Sequence, residues 1–371
     1  EQWGITFLTR YEDCAALLKD SRFGHEILNV MTREQLGLPP EPPQEYSDYS
    51  EMMQGWMLFR DPPTHTRLRM LVHKAFTPRM VENLRGRVQA LMDGLIADAR
   101  AKGQLDIMAD VAVPLPVTVI AEMLGVPVAD HVLFQAWSRD LAGTLELTDA
   151  PEVYERGTRA TREFATYLRA LADERRRVPQ DDLLTALVQA EEAGDKLSEK
   201  ELLATCTLLL VAGHETTTNL IGNGMLALLR HPEQAARLRA DPSLIKSAVE
   251  ELLRYDSPVQ MTSRMALADV DYNGHHFRKG AQVSFMLGAA NRDGEQFSDP
   301  HTLDIARAHN PHLAFSTGIH YCLGAPLARL EGQIAIGTLI EHLPNMALVE
   351  DAPPYRDTYV LRGLRSLKVT V

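Results

Sequence analysis

The stretch Phe315-Ser-Thr-Gly318-Ile-His320-Tyr-Cys322-Leu-Gly324 places one cysteine in a loop punctuated by glycine. The run that follows, Ala325-Pro-Leu-Ala-Arg-Leu-Glu-Gly-Gln-Ile-Ala-Ile, has helical spacing. A thiolate at Cys322 would face the first free N–H groups of that helix and the positive end of its dipole, which favours the ionised, metal-ligating form. Gly318 and Gly324 are expected to let the backbone turn tightly and a flat group approach closely. Three readings stand at this point. Cys322 is a small buried hydrophobe, or a zinc ligand with His309, His312 and His320, or the fifth ligand of a haem iron. The histidine spacing does not follow the paired pattern of structural zinc sites. A single thiolate with no second cysteine nearby does not suit an iron–sulfur cluster.

The chain has 371 residues, 45% of them hydrophobic and 24% charged, the balance of a water-soluble protein with a large core. No Pro/Gly/Ser linker, low-complexity block or internal repeat divides it, so residues 1–371 are expected to form one domain. Cys14, Cys206 and Cys322 are too few and too widely spaced for a disulfide framework, which points to a reducing cytoplasm. With 38 Lys and Arg against 50 Asp and Glu, the net charge of −12 argues against a nucleic-acid surface. The longest apolar run, Leu208 to Gly213, is far shorter than the ~20 residues that span a bilayer, so neither membrane nor nucleic acid is expected as a partner.

Helical periodicity dominates, over Ala75 to Ala101, Tyr154 to Arg177, Ser198 to Arg230 and Pro232 to Tyr255. Short strands are expected over Ile5 to Thr9, Met265 to Tyr272, Gln282 to Met286 and the tail Tyr359 to Val371. Ser198-Glu-Lys-Glu201 reads as a capping box that opens a helix about 50 Å long. Leu208, Leu209, Leu210 and Val211 make its middle apolar on nearly all faces, as in a helix at the centre of a protein. The pattern then breaks at Ala212-Gly213-His214-Glu215-Thr216-Thr217-Thr218-Asn219. Threonines in a buried helix can bond back to the preceding turn and bend it. A kink is expected there, with a freed carbonyl and a groove against which a flat ligand could lie.

The cysteine loop, with these neighbours, resembles that of the cytochrome P450 superfamily, in its bacterial, soluble form, and the resemblance covers nearly the whole chain from Gly4-Ile-Thr-Phe-Leu-Thr-Arg-Tyr-Glu-Asp onward. It implies a mainly α fold with a small β portion, and haem b between the long central helix and the cysteine-loop helix, with Cys322 on the iron. It also implies that an N-terminal segment precedes Glu1. Ser316 departs from the glycine usual there, and a negative φ is expected to accommodate it. Glu215 and Thr216 match the family's acid–alcohol pair, which delivers protons during dioxygen activation. Ala212 and Gly213 would lie against the haem, and Phe315, Gly318 and Gly324 would shape its cysteine side. His65 and Arg69, four apart on one helix face, together with Arg264 and His320, match the residues that hold the two haem propionates. Glu251 and Arg254, at i, i+3, match the family's Glu-x-x-Arg element, and Arg307 matches the third member of its ion triad, a scaffold for the cysteine loop.

The resemblance further implies a monooxygenase that hydroxylates or epoxidises a medium-sized hydrophobic substrate. The substrate-contacting segments would be Tyr49 to Phe59 (with Trp56 and Met57), Leu141 to Tyr154, the central helix from Leu209, Val259 to Met261, and Tyr359 to Leu361 including Val360. No nucleotide-binding fingerprint is present, so NAD(P)H would act only through a ferredoxin or flavodoxin and its reductase. That partner is expected to dock on Arg67, His73, Lys74, Arg79 and Arg329. An H2O2-driven peroxygenase and a haem protein without turnover are the alternatives. The acid–alcohol pair argues against both.

Overall fold

The computed structural model describes residues 5–38, 44–148, 150–192 and 197–370, so Gly4, Asp149 and Val371 of the segments above lie outside the described residues. The organising element is the helix Glu199–Arg230. The Ser198 hydroxyl accepts the Glu201 N–H at 3.3 Å and the Glu201 carboxylate accepts the Ser198 N–H at 2.9 Å, the reciprocal capping box read from the sequence. Its apolar faces pack on Pro114–Met123, His131–Gly143, Ile245–Tyr255 and the cysteine-loop helix Ala325–His342. No helix among the described residues is long and apolar enough to cross a membrane.

The β portion is small. Ile5–Leu8 pairs in parallel with Gln282–Phe285, which runs antiparallel to Thr262–Ala266, itself edged by Phe23–Gly24. Gln104–Asp106, Lys368–Thr370 and Ala347–Leu348 form a second sheet. A hairpin joins Val270–Tyr272 to His275–Phe277 through Asn273 and Gly274, both at positive φ as a two-residue hairpin turn requires.

Several expected elements are shorter than their hydrophobic pattern. The run Ala75 to Ala101 divides into Pro78–Asn83 and Arg85–Lys102 after the helix Thr64–Ala75 ends. Thr77 starts the new helix by accepting the Met80 N–H at 3.2 Å, with Pro78 in its first turn. Pro232 to Tyr255 breaks at Asp241-Pro242, where the Asp241 carboxylate accepts the Ser243 N–H at 3.1 Å. Met265 to Tyr272 spans parts of two strands, and of the tail only Lys368–Thr370 is a strand.

Candidate active site between the central helix and the cysteine loop

The cysteine loop is held by its own backbone and by two arginines. The Cys322 N–H donates to the Phe315 carbonyl at 3.0 Å. Gly318 has φ +72°, and a Cβ there would stand 2.8 Å from the Leu18 carbonyl oxygen, so this turn needs glycine. Gly324, at φ −80°, does not need glycine for its backbone, contrary to expectation. What it contributes is the missing side chain, whose Cβ would touch Cys322 Sγ at 3.9 Å. Ser316 is the larger departure. Its φ is +58°, not negative, and its hydroxyl is buried without a partner. A serine occupies a left-handed position that the surrounding loop imposes.

Arg69 Nη2 donates to the Tyr321 carbonyl at 2.7 Å, tying the helix Thr64–Ala75 to the loop. Arg329 lies over the Phe315 ring and is held by Glu250 at 2.7 Å, while His312 Nε2 lies 3.0 Å from the same carboxylate. His309 is exposed, so the histidines of the zinc reading do not gather at Cys322. Behind the loop, Glu251 and Arg254 are 0% exposed and joined by two hydrogen bonds of 2.8 and 2.7 Å. Arg307 Nε reaches the same carboxylate at 3.0 Å, and Arg254 also donates to the Asn291 and Pro300 carbonyls.

Burial pushes the Cys322 thiol up, against the downward pull of the Gly324 N–H, Arg69, the Ala325 N–H and Arg329. The helix terminus alone therefore does not ionise this sulfur. A metal that displaces its proton removes the conflict, because the surrounding donors and cations then act on a ligating thiolate.

Across from the loop, the central helix is buried from Leu202 to Leu228 at every residue except Ala212, Gly213 and Thr216. With Leu209, these fall at i, i+3, i+4 and i+7 on one face. Accessible surface on one stripe of the innermost helix is what a binding cavity produces. The segment stays α-helical, and Thr216 Oγ1 donates to the Ala212 carbonyl at 2.7 Å, the back-bond to the preceding turn expected of a threonine in this run. Glu215 points elsewhere. Its carboxylate meets Arg356 Nη1 at 2.6 Å in a cleft of about 600 Å³ lined also by Arg139, Arg156 and Arg365. Arg356 carries no local sequence signal. Buried His214 places Nδ1 2.9 Å from the Ser138 hydroxyl.

Beside the loop the structure gathers nitrogen donors, and the nearby Asp61 carboxylate, which opposes the lowering of His65 and Arg264, is engaged by the His25 and Glu26 N–H groups. The His65 and His320 rings lie 4.4 Å apart, and His25, which sequence reasoning missed, stands edge-on to His320 at 5.1 Å. Arg264 is buried and, among the described residues, its side chain bonds only to Thr262 Oγ1 and the Ser263 carbonyl. Among the described residues no carboxylate comes within ion-pair distance of Arg69 or Arg264. Burial lowers all five groups, and mutual repulsion adds to it for the histidines, carrying His320 to about 3, while Arg264 falls to about 10. His65 Nδ1 and His320 Nε2 are buried with no partner. Such a cluster is stable only with anions to receive it. A thiol, a stripe for a flat group and a cluster fit for two carboxylates match haem and its propionates.

Comparison with known proteins decides the family. The family model described as "Cytochrome P450" matches residues 15–361. The chain is a cytochrome P450. It is 44% identical to the polyketide biosynthesis cytochrome P450 PksS of Bacillus subtilis, over all of this chain and 91% of that one. It is 43% identical to the cytochrome P450 monooxygenase PikC of Streptomyces venezuelae, over 98% and 85%. Among solved structures, P450BioI in complex with acyl carrier protein ligated to hexadec-9Z-enoic acid superposes with a TM-score of 0.91 at 42% identity, over 98% of this chain and 91% of that one. The protein is accordingly a haem-thiolate monooxygenase, an oxidoreductase with the P450 fold.

The segments expected to contact substrate meet in the P450 although they are distant in sequence. Val259 bridges Leu361, and the Gln260 N–H donates to the Val360 carbonyl at 2.8 Å, next to buried Met261. The Glu146 carboxylate accepts the N–H groups of Tyr359, Val360 and Leu361 at 2.8, 2.9 and 2.9 Å, joining the segment Leu141 to Tyr154 to this turn. Trp56 is 0% exposed and stacked near Phe59, so it backs the wall formed with Met57 and has no surface to offer a substrate. Of the surface cations, Arg329 is committed to Glu250 and Arg67 to Glu201, leaving His73, Lys74 and Arg79 exposed.

Proposed function

We propose that Cys322 would hold a haem iron through its thiolate, that His65, Arg69, Arg264 and His320 would receive the haem propionates, and that Glu215 and Thr216 handle protons. The observation that carries this reading is the accessible stripe Ala212, Gly213, Thr216 on an otherwise buried helix. Thiolate-ligated haem supplies O2 activation, with the sulfur favouring O–O cleavage. The protein's part is to position and to deliver protons. Thr216, anchored to the Ala212 carbonyl, keeps its oxygen lone pairs free to accept a hydrogen bond within the cavity. Glu215 faces the opposite way, toward a cleft that reaches the surface, and links solvent protons to that stripe.

The substrate is a medium-sized hydrophobic molecule, held by Met57, Leu209, Val259, Met261 and Val360 with Trp56 behind them. The relatives support this class: P450BioI forms a complex with a fatty acyl chain on its carrier protein, and PksS is a P450 of polyketide biosynthesis. Electrons come from NAD(P)H through a ferredoxin or flavodoxin and its reductase, in the cytoplasm. Exposed His73, Lys74 and Arg79, with the apolar surfaces of Met70, Ile319 and Tyr321, offer a docking face beside the cysteine loop.

The test is spectroscopic and kinetic. Reduced wild type with carbon monoxide should show the thiolate-haem band, and Cys322→Ser should lose it. Thr216→Ala should keep the band but divert most electrons to peroxide. Coupling equal to wild type in that variant would remove the proton role. A reduced, CO-treated wild type coloured like a histidine-ligated globin would remove the whole reading.

A further inference from the structure

His25 lies outside every segment read from the sequence as cofactor-binding, yet the fold builds a mount for it. The strand Phe23–Gly24 pairs with Ala266 and Met265, so His25 continues the register toward Arg264. Its backbone is fixed at the start of the helix that carries His65 and Arg69. Asp61 accepts the His25 N–H at 2.9 Å and the Glu26 N–H at 2.8 Å, and the Glu26 carboxylate returns the contact by accepting the Asp61 N–H and pairing with Arg60, each at 2.7 Å. Gly24 leaves no alternative course, since a Cβ there would overlap the Asp61 carboxylate. The ring is wedged edge-on between Phe59 at 5.6 Å and His320 at 5.1 Å.

Despite this support, His25 Nε2 is buried without a hydrogen-bond partner among the described residues, as are His65 Nδ1 and His320 Nε2. A buried donor without a partner is costly, and three in one cluster call for one common acceptor. Burial, then Arg264, His320 and His65, keep the His25 imidazole neutral, so it offers a single N–H. We infer that His25 is a further cofactor-binding residue, its Nε2–H donating to a haem carboxylate oxygen in the group formed by His65, Arg69, Arg264 and His320. The inference rests on the haem reading of the preceding subsection. A neutral donor there satisfies a carboxylate oxygen without adding another cation to an already crowded cluster.

The experiment compares holoprotein of wild type, His25→Phe, which keeps the ring and loses the donor, and His25→Gln, which keeps an N–H. The readouts are haem transfer to excess apomyoglobin, the ferric–ferrous midpoint potential, and thermal unfolding of the apoprotein. His25→Phe is expected to release haem at least tenfold faster and to lower the midpoint potential, because a less compensated carboxylate favours ferric iron. The reduced-CO band should stay in place, and His25→Gln should recover most of the loss. Release within twofold of wild type at unchanged potential would overturn the inference. So would equal losses in both variants that track a lower apoprotein unfolding midpoint, since that pattern belongs to ring packing. A wild type that takes up no haem would overturn the underlying cofactor reading, and is recognised before any variant is compared.

Discussion

Arg356 Nη1 lies 2.6 Å from Glu215 Oε2, across 141 residues of sequence. The glutamate side chain is 4% exposed and the arginine 31%, so the pair runs from the interior of the central helix toward solvent. Removing the cation leaves a buried carboxylate without its counter-charge and opens the contact between helix and surface. If Glu215 relays protons through this pair, Arg356→Gln should lower turnover several-fold and divert electrons to peroxide. Turnover and coupling equal to wild type would separate Arg356 from the relay.

Ser316 holds φ +58° at a position where L-residues are strained, and its hydroxyl is unpartnered. Ser316→Gly should stabilise the protein by roughly 0.5–1 kcal/mol, net of the extra chain entropy of glycine. Denaturant unfolding of the holoprotein measures this. A loss of stability would mean that the serine hydroxyl contributes a contact worth more than the strain.

Glu251 shares its carboxylate between Arg254, Arg307 and the Asp304 N–H, entirely out of solvent. Arg254→Met leaves Glu251 to Arg307 and should cost about 3–5 kcal/mol, with poor haem incorporation. The triple change Glu251→Leu, Arg254→Met and Arg307→Met should cost less than the sum of the single losses, because no charge of the triad remains buried. Additive losses would argue that packing, not charge, dominates.

Glu331 sits inside the cysteine-loop helix with Oε2 unpartnered, and burial pushes its carboxyl well above the ordinary range. With the folded-state value raised, its contribution is fully present below the unfolded value near 4.5 and is lost as pH rises through the folded one. Glu331→Gln cannot ionise, so its thermal stability should gain on wild type as pH rises above the unfolded value. Parallel stability curves would show that Glu331 finds a partner when folded.

The elements that could be read in advance share one property, that their reason is local. The capping box Ser198–Glu201 spans three residues, Glu251 and Arg254 face each other one turn apart, and Gly318 answers to its own φ. The stripe Leu209, Ala212, Gly213, Thr216 follows from helical period alone. The bond from the Thr216 hydroxyl to the Ala212 carbonyl, one turn back, is local in the same way.

What the chain determined by itself is therefore its family and its mainly helical plan, because these rest on residue types at short, regular spacing. The tertiary structure alone decided that Arg356 answers Glu215, that His25 stands beside His320, that Glu146 clasps the Tyr359–Leu361 turn, and that Ser316 is forced to positive φ. Each of these depends on segments 141 or more residues apart, or on a loop held from outside, and no spacing rule along one segment encodes which distant side chain packing will bring near.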